Sequence, residues 1–344
     1  MKKYLWLEVM RGGAAVWVLL HHAELTASAF FGGVNYPFFA RGFLGVDFFF
    51  ILSGFIIAFS SSRMLEAGKT LGEYFSHRLV RIYVPYLPVG VALYFAYQLL
   101  PNMSAGDREI GLLTSFTLIP TVQATALSVA WTLKHELLFY LLFASFFVSR
   151  VLFIGVMGTW LVAIVFVRQL LEVPESGFLQ IFLNPLNLWF YVGMSVYLCP
   201  QIRLSRFGYW AGFLVLASAL YVLVINGFSR IYIGLVFAVM IVLFTKVENL
   251  EVPAPRFLLY LGAASYSVYL VHSPVQSVLA RVLPTISESW SPILAFWAIT
   301  GVSLVVGIIY FALYEKHAIT WCKSKTNQYF RAKTKNFEIE SARD

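Results

Sequence analysis

Ten apolar stretches, each long enough to cross a bilayer, follow one another along this chain and leave little else for it to fold into. They cover about 5–26, 42–61, 80–100, 130–148, 151–170, 181–199, 208–225, 231–246, 257–280 and 292–314. Of the 344 residues, 60% are hydrophobic and only 12% charged. That is too little charge to clothe a soluble domain of this length. The expected fold is all-α: a polytopic integral membrane helix bundle of about ten transmembrane helices. Spans four and five meet at Ser149-Arg150, which predicts a tight helical hairpin. The segment Ile110 to Thr121 is apolar but short and carries Pro120, so it reads as a re-entrant or interfacial piece. Met1-Lys2-Lys3, the apolar run after it and Ala27-Ser28-Ala29 outline a signal peptide. Glu8 and Arg11 interrupt that run, and it is read as a retained first span.

Charge placement sets the orientation. With the N-terminus in the cytoplasm, Lys2, Lys3, Arg63, Lys69, Arg78, Arg81, Arg150, Arg203, Arg206, Lys246 and Arg256 share one side. So do the basic residues of the tail, among them Lys323, Lys333, Lys335 and Arg343. The other side receives Arg108, Arg168, Arg230 and Arg281, beside Asp107, Glu109, Glu172, Glu175 and Glu288. This is the positive-inside pattern, with both termini cytoplasmic. The net charge of +8 is therefore the signature of anionic lipid and not of nucleic acid. Residues 1–315 form the membrane domain. Residues 316–344 form a basic cytoplasmic tail, expected to be partly disordered. Cys199 and Cys322 offer no disulfide framework or metal spacing, and both are read as free thiols.

Polar residues inside the membrane concentrate in spans one to four, and an intramembrane charge marks a functional site. Arg11 and His22 are eleven residues apart, three turns plus about 20°, so they share a helix face roughly 16 Å apart. Gly45 to Phe55 (GVDFFFILSGF) places glycines for close helix approach, Ser53 for a bond across helices, and Asp47 near the outer end of its span. On glycine content alone this is a packing seam with a capping aspartate. In Tyr74 to Tyr86 (YFSHRLVRIYVPY), Arg78 and Arg81 lie on one face, either as positive-inside anchors or as a phosphate-binding pair. In Trp131 to Tyr140 (WTLKHELLFY), Glu136 lies one turn from Tyr140, where a carboxylate orients a histidine or a hydroxyl, or favours the helix dipole. Leu261 to Pro274 (LGAASYSVYLVHSP) carries tyrosines and His272, which either line a groove or, as a lone helical histidine before Ser-Pro more often does, serve packing or a kink.

Taken in order, these motifs resemble acyltransferase family 3, the polytopic O-acyltransferases that modify bacterial surface glycans. Gly12 and the final Tyr314-Glu315 add to the likeness, and the matches span most of the chain. The chain departs from the family at Gly13, where an aliphatic residue is usual, and in the doublet His21-His22. It resembles the stand-alone members that lack a fused esterase-like domain. The resemblance implies a bacterial inner-membrane enzyme moving an acyl group, commonly acetyl, from cytoplasmic acyl-CoA to a hydroxyl of a glycan such as O-antigen or exopolysaccharide. No permanent cofactor or metal is implied. Acetyl-CoA is the co-substrate, and a polysaccharide or lipid-linked glycan is the acceptor. On this reading His22 is the general base, with Glu136 or Asp47 orienting the base or the sugar. Arg11, Arg78 and Arg81 hold the CoA phosphates. Ser53, Tyr140 and Trp131 support the acceptor, with an acyl-enzyme on Ser53 as a second route. The other classes compatible with ten charged spans are a transporter or flippase and an assembly subunit of a polysaccharide-export system.

Overall fold

Each apolar stretch forms helix in the computed structural model, which describes residues 4–100, 109–200, 204–247, 253–287 and 290–341. Side chains are described for the same residues except 246–247 and 333–341. Lys2, Lys3, Asp107, Arg108, Arg203, Glu288 and Arg343 lie outside the described residues, as do the side chains of Lys246, Lys333 and Lys335. The helices are α1 (Leu5–Phe31), α2 (Gly45–Glu66), α3 (Leu71–Leu99), α4 (Trp131–Phe143), α5 (Arg150–Val162) and α6 (Leu188–Leu198). They continue as α7 (Arg206–Ile225), α8 (Arg230–Val247), α9 (Arg256–Ile286), α10 (Pro292–Tyr310) and α11 (Lys316–Ser341). Among the described residues no strand forms; a single isolated bridge joins Ile110 and Ala124. Seven helical segments are long and apolar enough to cross a membrane. The other three expected spans are helical but differ from that standard: α4 is short, α8 reaches it only as a shorter apolar helix, and α9 carries a polar stripe. Aliphatic side chains on α5 and α7, such as Val151, Ile154, Leu214 and Val215, are exposed, as lipid-facing side chains are.

Two compact units divide the chain. The first holds the chain to Phe59, Leu127–Thr132 and Asn184–Tyr310. Within it α1 and α9 run parallel, as the first and ninth of alternating spans must. Small residues let them touch backbone to backbone. A β-carbon on Gly12 would lie 2.9 Å from the Gly262 nitrogen, and one on Gly262 would lie 2.1 Å from the Glu8 carbonyl oxygen. Further along, the Gln276 amide donates to the Leu19 carbonyl (3.1 Å). The expected glycine seam of α2 exists and faces α6: a β-carbon on Gly54 would lie 2.2 Å from the Phe190 carbonyl, and one on Gly193 2.0 Å from that of Ile51. Aromatic pairs extend this packing, with Phe50 stacked on Phe190 at 4.8 Å and Phe48 edge-on to Phe237 at 5.5 Å.

The second unit holds Ser60–Ala126, Leu133–Leu183 and the chain from Phe311. Its α3 starts with a capping box in which Thr70 and Glu73 satisfy each other's backbone N–H. The hairpin of α4 and α5 forms as expected. The Ser149 hydroxyl accepts from the Leu152 N–H (3.0 Å), and the Phe143 and Phe153 rings meet at 5.0 Å. The interfacial piece contains one short helix, Leu112–Thr117, closed by Leu118 in the left-handed region (φ 59°). Two expectations are corrected. The sixth span, Phe178–Leu198, is long enough but not one continuous helix: the Asn184 side chain accepts from the Leu186 N–H and caps a turn that begins at Pro185. The tail is helix through Ser341 and docks on α3, where His77 Nε2 lies 3.3 Å from Asn327 Oδ1.

Candidate active site

In the first unit, the side chains that matter come from α1, α2, α8 and α9 and the start of α4. His22 Nδ1 lies 3.0 Å from the carbonyl oxygen of Val18, one turn earlier on α1, and this contact fixes the ring plane. His272 on α9 makes the same contact with Val268, at 3.2 Å. The two imidazoles face each other, with His272 Nε2 3.3 Å from His22 Nδ1 and ring centroids 5.0 Å apart. One tautomer assignment satisfies all three contacts. Each Nδ1 carries a proton toward its own helix carbonyl, and His272 Nε2 accepts a share of the His22 proton. That leaves His22 Nε2 as a lone pair. The His22 ring borders a cavity of about 200 Å³ lined also by His21, Phe43, Val46, Val129, Trp131, Leu186, Arg230 and Tyr269. Trp131 (39% exposed) and Phe43 (37%) give the cavity open aromatic walls.

Asp47 is buried, and its carboxylate accepts both Nε and Nη2 of Arg230 (2.9 and 2.7 Å), a two-pronged pair of the strong kind. The Arg230 guanidinium also lies over the Phe43 ring (5.5 Å). Gly234, one turn beyond Arg230, makes room for the Trp189 indole, which a β-carbon there would meet at 2.1 Å. Arg11 donates from Nε and Nη2 to the Gly262 carbonyl (3.1 and 2.7 Å) and from Nε to the Ser265 hydroxyl (2.9 Å), clasping α1 to α9. The Tyr269 hydroxyl donates to the Val129 carbonyl (3.0 Å) and lies 2.9 Å from the Thr132 hydroxyl, which ties the cavity wall at Val129 to α9. Ser53 is half-buried on α2, about 9 Å along the helix from Asp47 and outside the cavity lining.

In the second unit, the Tyr140 hydroxyl donates to Glu136, and the Tyr74 hydroxyl donates to the Tyr140 carbonyl (3.0 Å). Arg78 lies over the rings of Tyr74 and Tyr140, 5.4 and 5.8 Å from their centroids, and donates to the Ser60 hydroxyl (2.5 Å). Arg81 pairs with the buried Glu315 (2.9 Å). Glu136, Tyr140, Arg78 and Arg81 thus belong to one unit, and Arg11, His22, Asp47, Ser53 and Trp131 to the other. Among the described residues no cluster of histidine, cysteine and acidic side chains has the makings of a metal site.

The family model described as an acyltransferase domain, that of acyltransferase family 3, matches residues 4–312, nearly the whole chain. The chain belongs to acyltransferase family 3. Among curated relatives of this acyltransferase is the exopolysaccharide production protein ExoZ of Rhizobium meliloti (strain 1021). The two are 29% identical over 322 residues, covering 87% of this chain and 93% of that protein. Protein 2 in the picA locus of Rhizobium radiobacter is 30% identical over 158 residues, covering 40% of this chain and 78% of that protein. No solved structure gives a significant match.

Sequence reasoning about this acyltransferase missed two residues of the site. His272 was read as a packing residue, yet it is the ring that His22 faces. The signal lay in its neighbours. Ser265, Tyr269, His272 and Gln276 recur at four, three and four residues, one helix face, and each bonds to α1 or to the segment before α4. Arg230 carried no signal beyond its place on the same side of the membrane as the expected position of Asp47.

Proposed function

We propose that this membrane acyltransferase transfers an acyl group, acetyl in the simplest case, from cytoplasmic acyl-CoA to a hydroxyl of a surface polysaccharide such as exopolysaccharide or O-antigen. The observation that carries the chemistry is the imidazole pair at the cavity, which leaves His22 Nε2 as an acceptor on the ring that borders it. The choice of polysaccharide leans on the exopolysaccharide production protein among the relatives.

In the proposed reaction His22 Nε2 takes the proton of the sugar hydroxyl, and the oxygen attacks the thioester carbonyl. The carbon–sulfur bond then breaks, and the imidazolium returns its proton to the departing thiolate of CoA. The products are an ester and free CoA. His272 accepts from His22 Nδ1 and so holds the tautomer in place. Trp131 and Phe43 offer flat faces to the sugar. Asp47 acts through Arg230, which borders the same cavity. Arg78 and Arg81 are assigned to the phosphates of acyl-CoA, and Arg11 to fixing α1 against α9 so that His22 meets His272. Glu136, gripped by Tyr140, keeps a proposed acidic role toward the acceptor. Direct transfer is preferred to a serine acyl-enzyme because Ser53 is not part of the cavity lining.

The test is incorporation of labelled acetyl groups into surface polysaccharide. His22→Ala is expected to abolish it at normal expression, with His21→Ala much milder. Full incorporation by His22→Ala would remove the general base from this scheme.

A further inference from the structure

The proposed reaction gives α11 no part, yet the helix brings a third cation to the arginines of α3. The two helices lie antiparallel, as a ladder of contacts shows. The Tyr314 hydroxyl donates to the Val84 carbonyl (3.2 Å), and Arg81 pairs with Glu315 (2.9 Å). Beyond these, His77 meets Asn327 (3.3 Å), and a β-carbon on Gly72 would meet the Phe330 ring at 3.2 Å. Lys323 is one turn before Asn327, and Arg81 is one turn after His77. With the helices antiparallel, both steps go the same way along the pair by about 6 Å. Lys323 therefore comes level with Arg81, and its electrostatic neighbours are Arg81, Arg78 and Glu315.

Among the described residues the charge here leans positive: Lys323, Arg78 and Arg81 surround Glu315, while Glu136, held by the Tyr140 hydroxyl, lies beyond the ring that Arg78 covers. The nearest other acid on α3, Glu73, is occupied by Lys69 (2.6 Å) and by its own capping box. His77 is engaged by Asn327, and the Ser60 hydroxyl that Arg78 holds is neutral. Clustered cations repel one another unless an anion joins them, and a pair of guanidiniums with an ammonium suits a group of phosphates. Lys323 is exposed, so such an anion reaches it from water.

We propose that Lys323 is a third arm of the phosphate clamp and that α11 belongs to the donor-binding machinery of this acyltransferase. The proposal rests on the assignment of Arg78 and Arg81 to acyl-CoA. The shared chemistry is clustered phosphate, whose two sources are the CoA nucleotide and anionic lipid headgroups.

The experiment uses the full-length protein in nanodiscs of purely zwitterionic lipid, with acetyl-CoA and dephospho-acetyl-CoA as donors. Lys323→Gln is expected to raise KM for acetyl-CoA roughly five- to tenfold with kcat unchanged, the size of a lost charge-assisted contact at an open site. Lys323→Arg should recover most of the loss. Lys325→Gln, about 200° around the helix from Lys323, should leave KM alone. An unchanged KM in Lys323→Gln beside a raised KM in Arg81→Gln would overturn the role of Lys323 while keeping that of the arginines. Equal effects from Lys323→Gln and Lys325→Gln would assign the effect to diffuse tail charge and also overturn it. If Lys323→Gln leaves KM unchanged and weakens only binding to separate nanodiscs of anionic lipid, the phosphate belongs to lipid and the proposal for Lys323 fails alone; if the wild-type protein does not bind acetyl-CoA, the donor assignment fails together with the proposal.

Discussion

Two imidazoles 3.3 Å apart cannot both be protonated without strong repulsion, so one of them serves the other. On the proposed mechanism His272 is the ring that orients His22. It sits fully buried, its Nδ1 is committed to Val268, and its Nε2 is turned to His22. We expect His272→Leu to lower kcat about tenfold to a hundredfold, the usual cost of removing a side chain that orients another. KM for acyl-CoA should hold, and His272→Gln, whose amide oxygen still accepts, should lose less. A wild-type kcat in His272→Leu would remove the orienting role. Asp47 and Arg230 permit a cleaner separation of structure from reaction. Asp47→Leu alone strips a half-exposed guanidinium of its partner and should cost about 1–3 kcal/mol in unfolding measurements. Asp47→Leu with Arg230→Met should regain most of that stability, because two apolar groups replace the pair, yet leave acyl transfer impaired. Recovery of activity along with stability would show that the pair only holds the fold. Asp47 was legible in the sequence as a charge too costly to be idle. Arg230 was not, since 183 residues separate the two and no local pattern encodes which side chains meet.

At the level of helices, the spans were legible because a bilayer demands long apolar runs and tolerates few alternatives. The hairpin at Ser149 and the glycine seam of α2 were legible for the same kind of reason, local chemistry with one structural outcome. Less legible was the tail, whose polar composition suggests disorder until a partner surface is known; α3 supplies that surface through His77 and Gly72. The sixth span kept its length but not its continuity, since a turn at Pro185 interrupts it. Glycines at the contact of α1 with α9 give the sharpest check on the packing. Gly12→Ala and Gly262→Ala drive a methyl into opposing backbone and should destabilise by about 1–3 kcal/mol, Gly262→Ala more. Gly13→Ala meets nothing within 4 Å and should be neutral or stabilising by up to about 1 kcal/mol. Thermal unfolding in detergent ranks the three, and equal losses would refute the close contact.

For the molecule as a whole, the proposed orientation places both native thiols on the cytoplasmic side. Cys199 is exposed and Cys322 half-buried. A membrane-impermeant maleimide should therefore leave intact spheroplasts unlabelled and mark Cys199, with Cys322 more slowly, in inverted vesicles. Labelling of either in spheroplasts would reverse the topology, and with it the direction from which acyl-CoA arrives. The histidine pair has a consequence in time as well as in space. His22 and His272 are 250 residues apart, so at roughly 5–20 residues per second the ribosome delivers the second ring about 12–50 s after the first. Throughout that interval the nascent chain already holds the proposed base in the membrane without the ring proposed to orient it. On the proposed mechanism, competence arrives only when the ninth helix is laid against the first.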